Sequence, residues 1–227
     1  MPDECAFSAT AMVESYPIAR HLLKPSEDEI ERCVAVLVDA FLGDPFGDVM
    51  LADYTRWAPA QLRMNIRAAL FNGQIDVMSI GPSVVDIVGV ALWWGPGEQA
   101  FPNGWNQFMK DIPPPLREWW LNTFIPTLTR LSNESIGEVS HLNSWHLSIF
   151  GVSKEHQRKG YGGALMELVA NEARESKSPM VLETFLDKNV EIYKKLGFEV
   201  KSEATIEDWR EEKTEIYNVR LMVKTCL

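Results

Sequence analysis

Gln157-Arg158-Lys159-Gly160-Tyr161-Gly162-Gly163 is the stretch that decides the fold. It joins a predicted strand, Trp145 to Val152, to a predicted helix, Tyr161 to Ser176. Its glycines expose backbone N–H groups and let a ligand come close. The N-terminus of a helix favours an anion, because its first N–H groups are unpaired and its dipole is positive there. The stretch therefore predicts an anion site, where a polyphosphate would relieve the repulsion between the dipole and the cations Arg158 and Lys159.

Two known phosphate-binding patterns do not fit this stretch. The helix opens with Gly160, Tyr161, Gly162 and Gly163, so neither G-x-G-x-x-G nor G-x-x-x-x-G-K-[ST] is present there. A glycine-rich helix start that binds no ligand is the alternative interpretation. A second motif further along the chain favours the ligand site.

That second motif is Asn189-Val190-Glu191-Ile192-Tyr193-Lys194-Lys195-Leu196-Gly197-Phe198. It resembles the N-x-x-x-Y-x-x-x-G-F segment of the GNAT superfamily of acetyltransferases, and the first stretch matches the Q/R-x-x-G-x-G/A signature of the same superfamily. The two motifs stand in the family's order and at its usual separation. The resemblance is strong from about Trp145 to Val200 and weaker before that, where the small-molecule-modifying members are the most similar.

The resemblance implies an α+β fold: an α/β/α sandwich whose central sheet is mixed, largely antiparallel and twisted, with about seven strands that splay apart at the cofactor site. It also implies acetyl-CoA as co-substrate and no metal. The backbones of Phe150 and Val152 would bind the pantetheine arm, and N–H groups from Arg158 to Gly163 would hold the pyrophosphate. The expected cofactor-binding residues are Phe150, Gly151, Val152, Gln157, Arg158, Lys159, Gly160, Tyr161, Gly162, Gly163 and Asn189.

Tyr193 is the predicted general acid, because it stands at the family's position for that role. A phenol with a pKa near 10 is protonated at neutral pH and can donate to a leaving thiolate. Asn189 and Tyr193 are four residues apart and therefore share one helix face. A tyrosine at the edge of the core, with a satisfied hydroxyl, is the alternative.

The general base is left open by the sequence. His146 lies on the predicted strand, in line with Ser148 and Phe150 on one face, and histidine titrates near neutrality. Glu183, on the next predicted strand, is a second candidate, and a water relay would leave no trace in the sequence. A packed, hydrogen-bonded histidine and an ion-paired carboxylate are the corresponding structural alternatives.

Composition and net charge restrict the classes of binding partner and the cellular location expected for the protein. The chain has 227 residues, 46% of them hydrophobic, and a formal net charge of -10. This charge argues against nucleic acid and anionic membranes and is compatible with a cationic amine substrate. Three scattered cysteines (Cys5, Cys33, Cys226), no signal-like N-terminus and no long apolar segment predict a cytoplasmic protein. His21 and His141 lie in no metal-like cluster.

The remaining pattern predicts one domain, 1–227, with a loosely ordered N-terminus (1–17) and an aromatic-rich insert (98–140). Predicted strands lie at 19–23, 74–80, 84–94, 180–185, 198–204 and 215–224. Predicted helices begin at Ser26, near Pro59, near Leu116 and at Asp187, where Asp187 is the expected N-cap. The insert is interpreted either as packing over one edge of the sheet or as a lid over the substrate.

The function predicted from these residues is transfer of an acetyl group from acetyl-CoA to a primary amine of a small molecule or peptide. A non-catalytic CoA-binding or sensor module on the same fold is the alternative, and a protein-binding domain with an unused pocket is a third. A homodimer through an edge strand is compatible with the pattern but not required by it. The acceptor and the length of the acyl chain are not determined.

Overall fold

The computed structural model describes residues 15–98, 104–136, 142–210 and 215–226. Its strands are β1 (Ile18–His21), β2 (Gln74–Ser79), β3 (Ile87–Trp94), β4 (Trp145–Val152), β5 (Met180–Thr184), β6 (Glu199–Glu207) and β7 (Ile216–Lys224). Its helices are α1 (Glu27–Phe41), α2 (Pro45–Leu51), α3 (Tyr54–Asn72), α4 (Trp105–Asp111), α5 (Pro114–Trp119), α6 (Ile125–Ile136), α7 (Tyr161–Ser176) and α8 (Asp187–Lys195). A π-helical turn, Trp120–Phe124, joins α5 to α6.

The strands form one seven-stranded sheet in the order β1-β2-β3-β4-β5-β7-β6. All neighbours pair antiparallel except β4 and β5, which pair parallel. Helix α7 connects these two strands, as a parallel connection requires. The predicted α+β fold with a mixed, largely antiparallel sheet is confirmed.

Helices cover both faces of the sheet. One core contains buried residues of α1, α2, α3 and the insert helices, together with Val90, Leu92 and Val181 of the sheet. The opposite core contains Met166 and Val169 of α7 and Val190 of α8, with Ala91 and Leu182 of the sheet. Alternate strand residues thus enter opposite cores, which explains why β3 is buried along its whole length.

The first two helices begin at clear caps. Ser26 and Glu29 form the predicted capping box of α1. Asp44-Pro45, which reads as a break, instead starts α2: the Asp44 side chain accepts the N–H of Phe46 at 2.9 Å, and proline occupies the first turn.

Several predicted boundaries are wrong, among them the end of β6, which lies at Glu207 instead of Ala204. Strand β1 begins at Ile18 and ends at His21, and β3 begins at Ile87 after a 3₁₀ turn. Helix α3 begins at Tyr54, capped by Asp53. Helix α8 is capped by Leu186 without a side-chain bond, because the Asp187 carboxylate instead pairs with Arg220 at 2.7 Å.

The insert packs on the sheet face that α1 and α3 cover. Trp119 Nε1 donates to the carbonyl of Glu207, and Trp120 Nε1 donates to that of Met50, both at 2.8 Å. Both rings are buried. The insert thus packs on a face of the sheet rather than over its edge, and Trp120 and Phe124 also line the cavity described below, so packing and a role at the substrate site remain compatible. Residues 99–103 and 137–140 of the insert lie outside the described residues, as do residues 1–14 of the predicted N-terminal segment.

Candidate active site in the gap between two parallel strands

Strands β4 and β5 separate after three residue pairs, Trp145 to Leu147 with Met180 to Leu182. A β-bulge at Ser148 accompanies the separation, because Leu92 pairs with Ile149 whereas Trp93 pairs with Leu147. The second half of β4 stays paired with β3 only. This opening is the splay expected of the fold.

Two backbone N–H groups of β4 point into the gap. Ser153 N–H donates to the carbonyl of Val88 at 2.9 Å and so points toward β3. Because N–H groups alternate sides along a strand, those of Val152 and Phe150 point the other way, into the gap. The side-chain amide of Gln157 donates to the carbonyl of Val152 at 3.0 Å. The chain thus presents strand-like donors along an open edge.

The turn before α7 is shaped for an anion. Arg158 has φ 61° and Gly160 has φ 84°, which turns the backbone sharply before the helix. Among the described residues, no hydrogen-bond acceptor lies on the N–H groups from Arg158 to Gly163. Six free donors at a helix N-terminus fit the phosphate chemistry predicted from the sequence. The side chains of Arg158 and Lys159 are exposed.

Two glycines allow close packing rather than unusual backbone angles. A Cβ on Gly162 would lie 3.0 Å from Cζ of Phe150, so the ring of Phe150 sits directly on the first turn of α7. A Cβ on Gly151 would lie 2.8 Å from Cβ of Ala40, so α1 sits directly on β4. Both approaches fix the position of the exposed edge of β4.

A cavity of about 360 Å³ lies at the gap. It is lined by residues of α1, α2, α3, the insert, β4, β5 and α8, and of the loop between β5 and α8. The wall is mainly aromatic and aliphatic, and its ionisable groups are Asp44, Glu183, His146 and two tyrosines. No lysine or arginine of the described part of the chain lines it. Its size and apolar wall with a few polar groups are typical of a small-molecule site.

His146 and Glu183 face this cavity as a pair. His146 Nε2 lies 2.8 Å from Glu183 Oε2, and their side chains are 23% and 13% exposed. Burial lowers the pKa of His146, but the charge and the hydrogen bond of Glu183 raise it more, so the net pKa lies above its usual value. The two candidates for the base are thus one hydrogen-bonded unit.

Tyr193 and Asn189 lie on the α8 side of the cavity. The described residues supply no hydrogen-bond partner for either side chain, so the phenol and the amide are available to a ligand. Burial raises the pKa of Tyr193, which keeps its hydroxyl protonated at neutral pH. The ring packs between Phe150 and Phe198, at centroid distances of 6.5 and 5.8 Å, which holds it in place.

One expectation about β4 is wrong. His146 and Phe150 do not share a face, because the bulge at Ser148 inserts an extra residue between them. His146 lies on the face of Val181 and Trp94, whereas Phe150 packs on the α7 and α8 face. Bulges have no reliable signature in a single strand.

The structure adds wall residues that the sequence did not indicate. Asp44, Phe46 and Met50 of α2 line the cavity together with Phe185. The Asp-Pro pair that caps α2 is the signal that could have located this helix.

His141 and Cys5, which the sequence assigns to no metal-like cluster, lie outside the described part of the chain. Within it, no group of three or more His, Cys, Asp or Glu side chains is placed to hold a metal ion. None of the described helices combines the length and the apolar character needed to cross a bilayer.

Comparison with known proteins agrees with this geometry. Residues 128–200 match the family model of the acetyltransferase (GNAT) domain. An uncharacterized N-acetyltransferase of Schizosaccharomyces pombe is 26% identical over 178 residues, which cover 75% of this chain and 70% of that protein.

Two solved structures share the fold over almost the whole chain. A mosquito arylalkylamine N-acetyltransferase like 5b is 16% identical, with a TM-score of 0.64 over 92% of this chain and 99% of that chain. An N-acetyltransferase from Staphylococcus aureus Mu50 is 10% identical, with a TM-score of 0.55 over 94% and 100%. The protein therefore has the fold of the GNAT acetyltransferase superfamily, and the resemblance carried by the two motifs is confirmed.

Proposed function

We propose that the protein is an N-acetyltransferase that transfers an acetyl group from acetyl-CoA to a primary amine. The observation that carries this proposal is the arrangement of three features around one gap. Free N–H donors from Arg158 to Gly163 lie at one end, a protonated Tyr193 lies at the α8 side, and the His146–Glu183 pair faces the same cavity.

The chain's own residues would hold the cofactor in an extended form. The turn from Arg158 to Gly163 would bind the pyrophosphate through its N–H groups. Phe150 and Val152 would bind the pantetheine arm as a further strand, since their N–H groups point into the gap. The side-chain amide of Gln157 donates to the carbonyl of Val152 and so stabilises the end of β4. Asn189 would contact the cofactor near its reactive end.

His146 is the proposed general base. Acetyl-CoA, when bound, supplies an acetyl group already activated as a thioester. An alkylammonium has a pKa near about 10.4 and must lose a proton before it can attack. The raised pKa of His146 makes it a better acceptor for this proton, and Glu183 stabilises the imidazolium that forms.

Tyr193 is the proposed general acid. Its Oη holds a proton at neutral pH and faces the cavity, so it can protonate the leaving sulfur of CoA. The described elements would act together as one catalytic domain.

The test compares two variants at Gly160, Gly160→Asp and Gly160→Asn. Asp and Asn both tolerate a left-handed backbone and both serve as N-caps, so the pair differs mainly in one negative charge. We expect Asp to weaken CoA binding by at least about tenfold relative to Asn in calorimetry, because its carboxylate faces the pyrophosphate. The difference should shrink at high salt.

A thiol-release assay with acetyl-CoA and a panel of amines then tests turnover. If the two Gly160 variants bound CoA with equal affinity, the turn from Arg158 to Gly163 would not be the pyrophosphate site. CoA binding without thiol release on any amine would favour the sensor alternative, and absence of CoA binding would refute the proposal altogether.

A further inference from the structure

The cavity continues away from the gap into an aromatic chamber, formed by Phe46, Trp120, Phe124 and Phe185. Phe46 and Phe185 stack at 3.8 Å with an interplanar angle of 13°, and Phe124 lies 6.1 Å from each of them. Trp120 lies 5.0 Å from Phe124. Mutual stacking fixes these rings, so the wall is formed before any ligand arrives.

The chamber offers few hydrogen-bond donors to a ligand. The indole N–H of Trp120 is used by the carbonyl of Met50, and the hydroxyl of Tyr54 donates to the carbonyl of Val38 at 3.0 Å. Both polar groups therefore point away from the cavity. The four rings fit a flat apolar body, and the polar side chains of the cavity, such as Gln61 and Asn65, lie on other elements of its wall.

Outside the His146–Glu183 pair, the charge of the cavity is acidic. Asp44 adds a second carboxylate to that of Glu183, and no lysine or arginine of the described ranges lines the wall. An ammonium group would find a carboxylate partner beside the proposed base. A carboxylate would meet no cation except the imidazolium of His146, which is already paired with Glu183, so its loss of hydration would be poorly compensated.

We propose that the acceptor is a small primary amine on an aromatic body that carries no carboxylate. This inference rests on the proposed function, because it assigns the acceptor of the same site. The aromatic body would lie in the aromatic chamber, and the amine would reach His146. Amino acids, whose carboxylate lies beside the amine, are excluded by the charge of the cavity, and so are acidic peptide ends.

The test uses amines that differ in one group. Tryptamine and tryptophan share the indole and the amine, and only tryptophan carries a carboxylate; spermidine is a cationic amine without a ring. We expect tryptamine to bind the protein–CoA complex at least about tenfold more tightly than tryptophan or spermidine in calorimetry. Equal or tighter binding of tryptophan or spermidine would overturn the proposal.

A matched pair of variants tests the chamber itself. Phe124 and Phe108 are both buried in the same aromatic cluster, but only Phe124 lines the cavity. Phe124→Leu should weaken tryptamine binding by about tenfold, whereas Phe108→Leu should change it by less than about twofold. Thermal unfolding and CoA affinity of both variants confirm that each is folded. Equal effects of the two substitutions would refute the assignment.

The outcomes separate this inference from the proposed function. Thiol release with spermidine or tryptophan in preference to tryptamine would leave the acetyltransferase standing and overturn the acceptor class. Tight binding of tryptamine without thiol release would support the assignment of the aromatic chamber but contradict the proposed acetyltransferase activity.

Discussion

The pairing of His146 with Glu183 ties the protonation of each residue to the other. Their atoms lie 2.8 Å apart in a partly buried setting, where an opposite charge shifts a pKa by about 1–3 units. The carboxylate favours the imidazolium, so the histidine loses its proton at a higher pH than an isolated one would. As a base it becomes active only above that pH.

Glu183→Gln is expected to move the acid limb of the pH profile. The substitution keeps a hydrogen-bond acceptor but removes the charge that raises the pKa of His146, so burial then lowers that pKa. The acid limb of kcat/KM should shift to lower pH by about 1–3 units, with activity retained. If Glu183 were itself the base, activity would instead fall by about 10²–10⁴ without such a shift.

At the residue scale, the sequence predicted which side chains lie together better than it predicted their orientation. Tyr193 and Asn189 of the second motif and His146 of the predicted strand all line one cavity. The face of Phe150 was predicted wrongly because the bulge at Ser148 depends on pairing with β3, a partner more than fifty residues earlier in the chain. A single strand cannot reveal such an irregularity.

At the scale of the elements, the close approach of α1 to β4 helps to set the position of the open edge of β4. A side chain at Gly151 would meet Ala40 and Leu37, the latter at 3.1 Å from Cδ2. Helix α1 therefore presses on the strand whose other edge is open to the gap. The position of that edge depends on this contact as well as on β3.

Gly151→Ala should destabilise the fold through this contact. The added methyl has no room beside Ala40, and overpacking of this kind lowers the free energy of unfolding by about 1–3 kcal/mol. Urea unfolding of Gly151→Ala, Ala40→Gly and the double variant measures the coupling. The loss caused by Gly151→Ala should be smaller in the Ala40→Gly background, by at least about 0.5 kcal/mol. An equal loss in both backgrounds would contradict the contact.

Elements with local signals were predicted well. Strand β4 and helix α7 have the predicted ends, and Gly197 ends α8 in a left-handed conformation at φ 91°. Helix α2 was missed because it has seven residues, too few for a periodic pattern. The insert was predicted to contain one helix, around Leu116 to Leu131, whereas the structure has α5, a π turn and α6 in this region and α4 before it.

At the scale of the whole molecule, a polar cluster joins the start of the sheet to helix α7. Asp76 of β2 is fully buried and lies 2.6 Å from Nδ1 of His21 in β1. Glu172 of α7 lies 3.3 Å from Nε2 of the same ring. Gln74 donates to both carboxylates. Burial raises the pKa of Asp76 to about 6, although His21 opposes this.

Stability is therefore expected to depend on pH through Asp76. The folded state binds this proton more tightly than the unfolded state, so the contribution is present below about pH 4 and is lost as pH rises through about 6. The loss is on the order of 3 kcal/mol, at about 1.4 kcal/mol for each pKa unit. In Asp76→Asn, the free energy of unfolding should fall less steeply over this range in urea titrations. A slope unchanged by the substitution would contradict the assignment.

The mixed, largely antiparallel character of the sheet was implied by the family resemblance, whereas the order of its strands was not predicted. Periodicity gives strands but not their neighbours, and the parallel pair β4–β5 follows from the α7 connection only once both strands are known to share a sheet. The cavity wall is formed by elements from both halves of the chain, from α1 to α8. Contacts between residues far apart in the sequence leave no pattern in any single segment. The residues of α2 and Phe185 were therefore not predicted to line the cavity.

The three-pair contact between β4 and β5 also has a thermodynamic meaning. Inside the sheet, strands β4 and β5 leave an open edge on β4, so a ligand that pairs with β4 would stabilise the fold as a further strand does. A ligand that binds only the folded chain adds RT ln(1 + [L]/Kd) to the free energy of unfolding, about 2.7 kcal/mol when the ligand is 100-fold above its Kd. If acetyl-CoA is that ligand, as proposed above, its free concentration would influence how much of the chain is folded.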